Sequence, residues 1–172
     1  MKDHHVEYSK ACWYALYTRS RWEKKVDRQL QDKGLESYLP LRGVLRQWSD
    51  RKKLVEEPLF RCYVFIHANA RERLRALQTY GAVRIVTFNG KPAVVRDEEI
   101  ENIKNILREK PQVESCPEVS KGDLVEIVSG PLSGLRGRLE EIRGEHRLVV
   151  SIDSIHQALR FNVEGSNVRV VG

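Results

Sequence analysis

The sequence predicts an α+β antiparallel sheet with helices on one face, joined by a flexible linker to a small SH3-like β-barrel. Three observations predict it. Strands and helices alternate in the order β-α-β-β-α-β-β-α up to residue 107; a polar stretch with two prolines and no hydrophobic period follows; beyond it only short strands and glycine-bearing turns remain. The expected division is a first domain at 1–107, a linker at 108–120 and a barrel at 121–172.

Trp13–Thr18 reads as a buried strand. Ser20 and Glu23 have capping-box spacing, so a helix is expected from Ser20, with Trp22, Val26 and Leu30 as its apolar stripe and Gly34 as its left-handed end. Its other face carries Arg21, Lys24, Lys25, Arg28 and Lys33. An extended arm follows over 38–58, turning at Ser49-Asp50 and holding Arg42, Arg46, Arg51, Lys52 and Lys53. Tyr63–His67 is an aromatic, β-branched strand. Asn69 and Glu72 repeat the capping pattern before a short helix stopped at Gly81. Val83–Phe88 runs into the hairpin signal Asn89-Gly90 and returns through Ala93–Val95. Asp97 is the expected cap of a helix whose Ile100, Ile103 and Leu107 face the core. After the linker, strands are expected at Leu124–Val128, Leu135–Ile142, Arg147–Ile152, Ala158–Asn162 and Val168–Val171.

Charge separates the two parts. The 172 residues carry a net +6, but residues 1–110 hold 23 Lys/Arg against 15 Asp/Glu, whereas residues 111–172 hold 7 against 9. The basic character belongs to the first part, which should meet an anionic partner that the second part does not. Three cysteines, at 12, 62 and 116, have no close spacing, which argues for a reducing compartment and against a zinc site or disulfide framework. The start, Met1–Tyr8, is polar, and no apolar run approaches the ~20 residues that span a bilayer. A soluble, cytoplasmic protein is expected, a monomer without membrane contact, metal or cofactor.

Nothing points to catalysis. No Ser, Cys or Lys sits in a nucleophile motif, and no glycine-rich phosphate loop appears. The carboxylate neighbours Glu56-Glu57, Asp97–Glu99 and Glu140-Glu141 fall at helix starts or on polar faces. His4-His5 lies in an expected frayed tail, and His67, His146 and His156 stand singly.

Three segments carry a resemblance: Trp13-Tyr14-Ala15-Leu16-Tyr17; Glu57-Pro58-Leu59-Phe60 with Tyr63-Val64-Phe65; and Lys91-Pro92-Ala93-Val94-Val95. With the terminal strand-and-turn run Lys121–Gly134, they resemble the NusG family of transcription elongation factors over nearly the whole chain. The first domain is similar to the family's N-terminal domain, closer to the specialised RfaH and UpxY-type antiterminators than to housekeeping NusG, and residues 121–172 are similar to a KOW domain. The resemblance implies an aromatic pocket, matched here by Tyr17, Phe60, Tyr63 and Phe65, that seats on the β′ clamp coiled coil of RNA polymerase, with the β subunit across the cleft. Alternation puts Tyr63 and Phe65 on one strand face and Val64 and Ile66 on the other, with Phe60 at the rim. Arg61 departs from the family's usual proline, and Glu72-Arg73-Leu74 stands where RfaH has His-Thr-Thr.

The resemblance further implies contact with the exposed non-template DNA strand through Arg19, Gln29 and Lys33: the cations for phosphates, the amide for a base edge. Trp22 is near enough to stack on a base, though its place in the apolar stripe assigns it to the core. In the barrel, Gly122, Gly130, Pro131 and Gly134 read as turn-shaping residues. Ile155 matches an exposed loop position that meets either NusE, the ribosomal protein, or Rho. Alternating Val125 and Ile127 predict a barrel without RfaH's helical autoinhibited form. The competing reading is an RNA-binding or ribosome-associated KOW module whose basic arm at 42–53 grips RNA.

Overall fold

The structure, a computed structural model, describes residues 10–118 and 121–172. His4-His5 and the last two linker residues, Val119 and Ser120, lie outside the described residues. In chain order the elements are β1 (Cys12–Thr18), α1 (Glu23–Asp32), β2 (Glu36–Tyr38), β3 (Leu41–Gln47), β4 (Lys52–Pro58), β5 (Tyr63–Ala68) and α2 (Ala70–Leu77). They continue with β6 (Ala82–Ile85), β7 (Thr87–Phe88), β8 (Lys91–Pro92), β9 (Val94–Val95), α3 (Asp97–Glu109) and β10 (Glu114–Pro117). The last are β11 (Asp123–Ile127), β12 (Arg136–Ile142), β13 (Glu145–Ile152), β14 (Gln157–Asn162) and β15 (Val168–Val170).

The chain forms two compact units. One gathers the described residues up to Pro40 with Phe60–Ile100. The other gathers Leu41–Leu59 with Glu101–Gly172. The expected border at 107 and 121 is thus displaced, because the 41–59 segment groups with the C-terminal residues.

In the first unit the sheet runs β2-β5-β1-β6, with β9 also on β1, all antiparallel. Leu16 sits opposite Val64 and Tyr14 opposite Ile66. Both α1 and α2 pack against β5. Their Val26, Leu30 and Ala76 are fully buried, as are Leu16, Val64 and Ile66. The α1 end is a Schellman motif: Gly34 N–H donates to Gln31 O and Leu35 N–H to Leu30 O, with Gly34 at φ +72°. The Asn69–Glu72 capping box forms in both directions at the start of α2. Asn89 and Gly90 both take positive φ between β7 and β8, as the shortest hairpin turn requires.

The start of α1 differs from expectation. Arg21 is left-handed at φ 65°, and the helix begins at Glu23 with no side-chain cap. The buried Glu23 carboxylate turns to another donor, the backbone N–H of Cys62 at 2.7 Å. That bond fixes the turn before β5, where Cys62 itself takes φ 66°. At the start of α3, Glu99 accepts from Arg96 N–H at 2.9 Å, so Asp97 lies in the first turn and not at the cap. Ile106 is fully buried, whereas Leu107, the expected core residue, is half-buried.

In the second unit, β3 and β4 form a two-stranded hairpin in register from Leu41–Pro58 to Gln47–Lys52. Leu45, Trp48 and Leu54 are exposed on it. A six-stranded antiparallel sheet follows, in the order β10-β14-β13-β12-β11-β15. The expected linker supplies its sixth strand: α3 runs to Glu109, and Glu114–Pro117 pairs with β14. Cys116 is buried there with Val149 and Ala158. At Gly122 (φ 101°) a Cβ would stand 2.4 Å from Leu139 O, so no other residue fits this turn without movement. Gly130 and Gly134 also take positive φ, on either side of the turn holding exposed Pro131.

Candidate functional site

Register builds the first surface. Tyr17 on β1 faces Tyr63 on β5 and Arg84 on β6. The two tyrosine rings meet edge to face at 5.4 Å, and the Arg84 guanidinium lies 5.1 Å above Tyr17. Both tyrosines are half-buried and Arg84 is exposed. Burial raises the Tyr63 hydroxyl above the ordinary tyrosine value, against the pull of the Arg84 charge. The result is apolar ring surface with hydroxyls and a cation at its edge, a composition suited to anchoring a protein partner.

Phe60 and Phe65 do not share this surface. They are 1% and 0% exposed, so the expected four-ring pocket becomes two rings outside and two within. Phe65 stacks with Tyr38 at 6.4 Å and meets Phe60 edge-on at 6.0 Å. Without a hydroxyl, neither phenylalanine loses a hydrogen bond by full burial. Arg61, the residue that departs from the family pattern, is exposed and points its charge to solvent.

A second surface collects the three residues expected to face DNA. Arg19, Gln29 and Lys33 converge on the loop Thr79-Tyr80-Gly81 between α2 and β6. Arg19 N–H donates to Gly81 O at 2.9 Å, Gln29 Nε2 to Tyr80 O at 3.2 Å and Lys33 Nζ to Thr79 Oγ1 at 2.9 Å. Gln29 Nε2 donates also to Lys25 O at 3.1 Å. Both amide hydrogens are therefore engaged, and the expected donor-and-acceptor reading of a base edge is closed to Gln29 in this state; it holds the loop instead.

Tyr80 was not singled out in the sequence. The residue is 63% exposed, its ring 4.9 Å from Trp22 in an edge-to-face arrangement and 5.2 Å from the Arg19 guanidinium. Lys25 Nζ lies 4.6 Å from the Trp22 ring. Trp22 is half-buried, at the border of the apolar stripe and not inside it.

In the second unit, Ile155 is 4% exposed within a short 3-10 turn over Asp153–Ile155, so it offers no surface to a partner. The turn folds its side chain inward and leaves His156, at φ 51°, outside. Among the described residues no three His, Cys, Asp or Glu gather in a metal-binding group. No helix of the described residues is long and apolar enough to cross a membrane.

The first unit is an antiparallel sheet with α1 and α2 packed on β5 and with rings and cations on its surface, and the second holds β3, β4, most of α3 and the six-stranded sheet. The family model described as transcription termination factor nusG matches residues 11–104, and the chain belongs to the NusG family. Relatives named transcription termination/antitermination protein NusG are 26% identical in Thermus thermophilus, over 81% of this chain and 89% of the relative. The Lactococcus lactis protein of the same name is also 26% identical, over 92% of each chain. Among solved structures, one described as domain interaction in Thermotoga maritima NusG superposes with a TM-score of 0.59 at 25% identity, covering 95% of this chain and 98% of that one.

Proposed function

We propose that this NusG-family protein is a cytoplasmic elongation factor of the specialised, operon-specific antiterminator type, acting by docking on RNA polymerase. The Tyr17–Tyr63 pair seats on the tip of the β′ clamp coiled coil, with Arg84 at its edge. The factor bridges toward the β subunit and holds the enzyme in its closed, elongating state. The Arg19–Lys33 surface then meets the exposed non-template strand. The second unit recruits a second partner, NusE or Rho, through residues other than the enclosed Ile155. The carrying observation is the half-exposed tyrosine pair under Arg84, within the residues that the family model matches.

A second reading has its own observation. The β3–β4 hairpin presents Trp48, 52% exposed, beside exposed Arg51, Lys52 and Lys53, a combination that also suits RNA. One experiment separates the two: transcription through a paused template with the wild-type chain, with Tyr17→Ala/Tyr63→Ala, and with Arg51, Lys52 and Lys53 reversed to Glu. Polymerase docking predicts shorter pauses and more readthrough, lost in the tyrosine variant. Unchanged pause lifetimes with the wild-type chain would contradict it; activity lost only on charge reversal would support the RNA module.

A further inference from the structure

We propose that the second unit holds a nucleotide-binding pocket where the end of α3 meets β10, β13 and β14, with Arg147 and Arg160 as its phosphate-binding residues. The cavity has a volume of about 420 Å³ and lies wholly inside that unit. Small-molecule sites fall in the same range, about 300–1,000 Å³. Register brings the two arginines together. Arg147 on β13 stands opposite Asn162 on β14, and Arg160 lies two residues before Asn162, on the same face. They are diagonal neighbours, roughly 7–8 Å apart at the backbone, so both side chains can reach one phosphate chain. Their present partners leave them poorly satisfied. Arg147 Nη2 donates to Glu145 at 3.3 Å and Arg160 Nη1 to Glu140 at 3.4 Å, each through a single nitrogen. A strong charge-assisted bond is shorter, about 2.7–2.9 Å. In both residues Nε is buried and, among the described residues, has no acceptor. An unmet buried donor is costly, and a guanidinium presents two adjacent N–H groups that match two phosphate oxygens. A small turn of either side chain toward the cavity gives Nε and a terminal nitrogen one phosphate between them.

The other walls select the kind of phosphate. Lys110 adds a third cation, but Glu109 and Glu114 also line the cavity. Those carboxylates repel a bare anion, and inorganic phosphate would leave much of the space empty. They accept hydrogen bonds, so they suit a ligand that carries hydroxyl or amino donors beside its phosphates. A nucleotide joins both in one molecule: phosphates for the arginines, ribose hydroxyls and base N–H groups for the glutamates. Arg160 and Asn162 lie in the half of β14 away from Ile155, so this pocket is separate from the loop position matched to NusE or Rho. It is independent of polymerase docking through the tyrosines.

The test is isothermal titration calorimetry of the full chain with ATP and with GTP, using inorganic triphosphate and adenosine as comparison probes. At least one nucleotide should bind saturably at one site per chain, more tightly than triphosphate or adenosine. Arg147→Gln and Arg160→Gln should each weaken it about tenfold or more. Glu114→Gln should weaken the nucleotide about threefold or more while strengthening triphosphate. Arg143→Gln removes an exposed charge outside the cavity and should leave binding unchanged. Thermal unfolding verifies that each variant is folded. Amide chemical shifts of the wild-type chain give a second reading that needs no variant: the nucleotide should move Arg147, Arg160 and Asn162. No saturable nucleotide binding, or shifts confined to residues outside the cavity, would overturn the site. Equal weakening by Arg143→Gln would reduce it to general charge attraction and overturn it too. Triphosphate binding as tightly as the nucleotide would overturn the assignment to a nucleotide.

Discussion

Two groups of rings lie within a few residues of one another and meet opposite fates. Phe60 and Phe65 are enclosed, with Tyr38 stacked on Phe65; Tyr17 and Tyr63 stay half-exposed, with Arg84 across one of them. Tyr63 and Phe65 even share a face of β5, two residues apart. The difference lies in the neighbours. Phe65 stands opposite Ala15 on one side and Tyr38 on the other, and Phe60 reaches it from the preceding turn. Tyr63 lies past the end of β2, so no third strand flanks it and only Tyr17 faces it. Sheet position therefore decides which rings build the fold and which are available to bind.

The largest effect that would break this comparison is on stability. Phe65→Ala deletes a fully enclosed ring and should cost about 3–5 kcal/mol, read by thermal or denaturant unfolding. Tyr63→Ala removes a ring that is already half in water and should cost roughly 1–2 kcal/mol. Equal losses in the two variants would erase the distinction between interior and surface rings.

The smallest effect concerns ionisation. The Tyr63 hydroxyl is raised by burial, so on raising the pH the unfolded chain ionises first. Its contribution to stability is whole below the ordinary tyrosine value of about 10 and is lost as pH climbs through the higher folded value. Arg84 opposes the rise, so Arg84→Gln should move the Tyr63 titration further up, seen by ultraviolet difference absorbance. A downward movement, or none, would mean that the guanidinium does not sit over this pair.

Much of the fold was legible because local signals and tertiary needs agree. The Asn69–Glu72 box, the Gly34 stop, the Asn89-Gly90 hairpin and the alternation in β5 all follow from spacing and residue type, whereas α2 ends at Leu77, before the expected stop at Gly81. Failures came where a distant partner decided. Ser20 and Glu23 have the spacing of a cap, but Arg21 turns left-handed and Glu23 finds its donor at Cys62, thirty-nine residues away. Pro111 and Pro117 made 108–120 read as a linker. Yet β10 is an edge strand, where a proline's missing N–H is tolerated, and β14 supplies its pairing.

The grouping of the candidate residues was legible only in part. Arg19, Gln29 and Lys33 do converge, on the loop Thr79-Tyr80-Gly81 that the fold brings beside α1. Ile155 was expected outside because the resemblance matches it to an exposed loop position; the 3-10 turn buries it instead.

The central claim is that Tyr17 and Tyr63 are the docking rings. Its most direct measurement is the affinity of the full chain for purified core RNA polymerase, compared between wild type and Tyr17→Ala/Tyr63→Ala, with the folded state of the variant verified by thermal unfolding. The account predicts binding weakened roughly thirtyfold or more in a variant that remains folded. Wild-type affinity in that folded variant would contradict it.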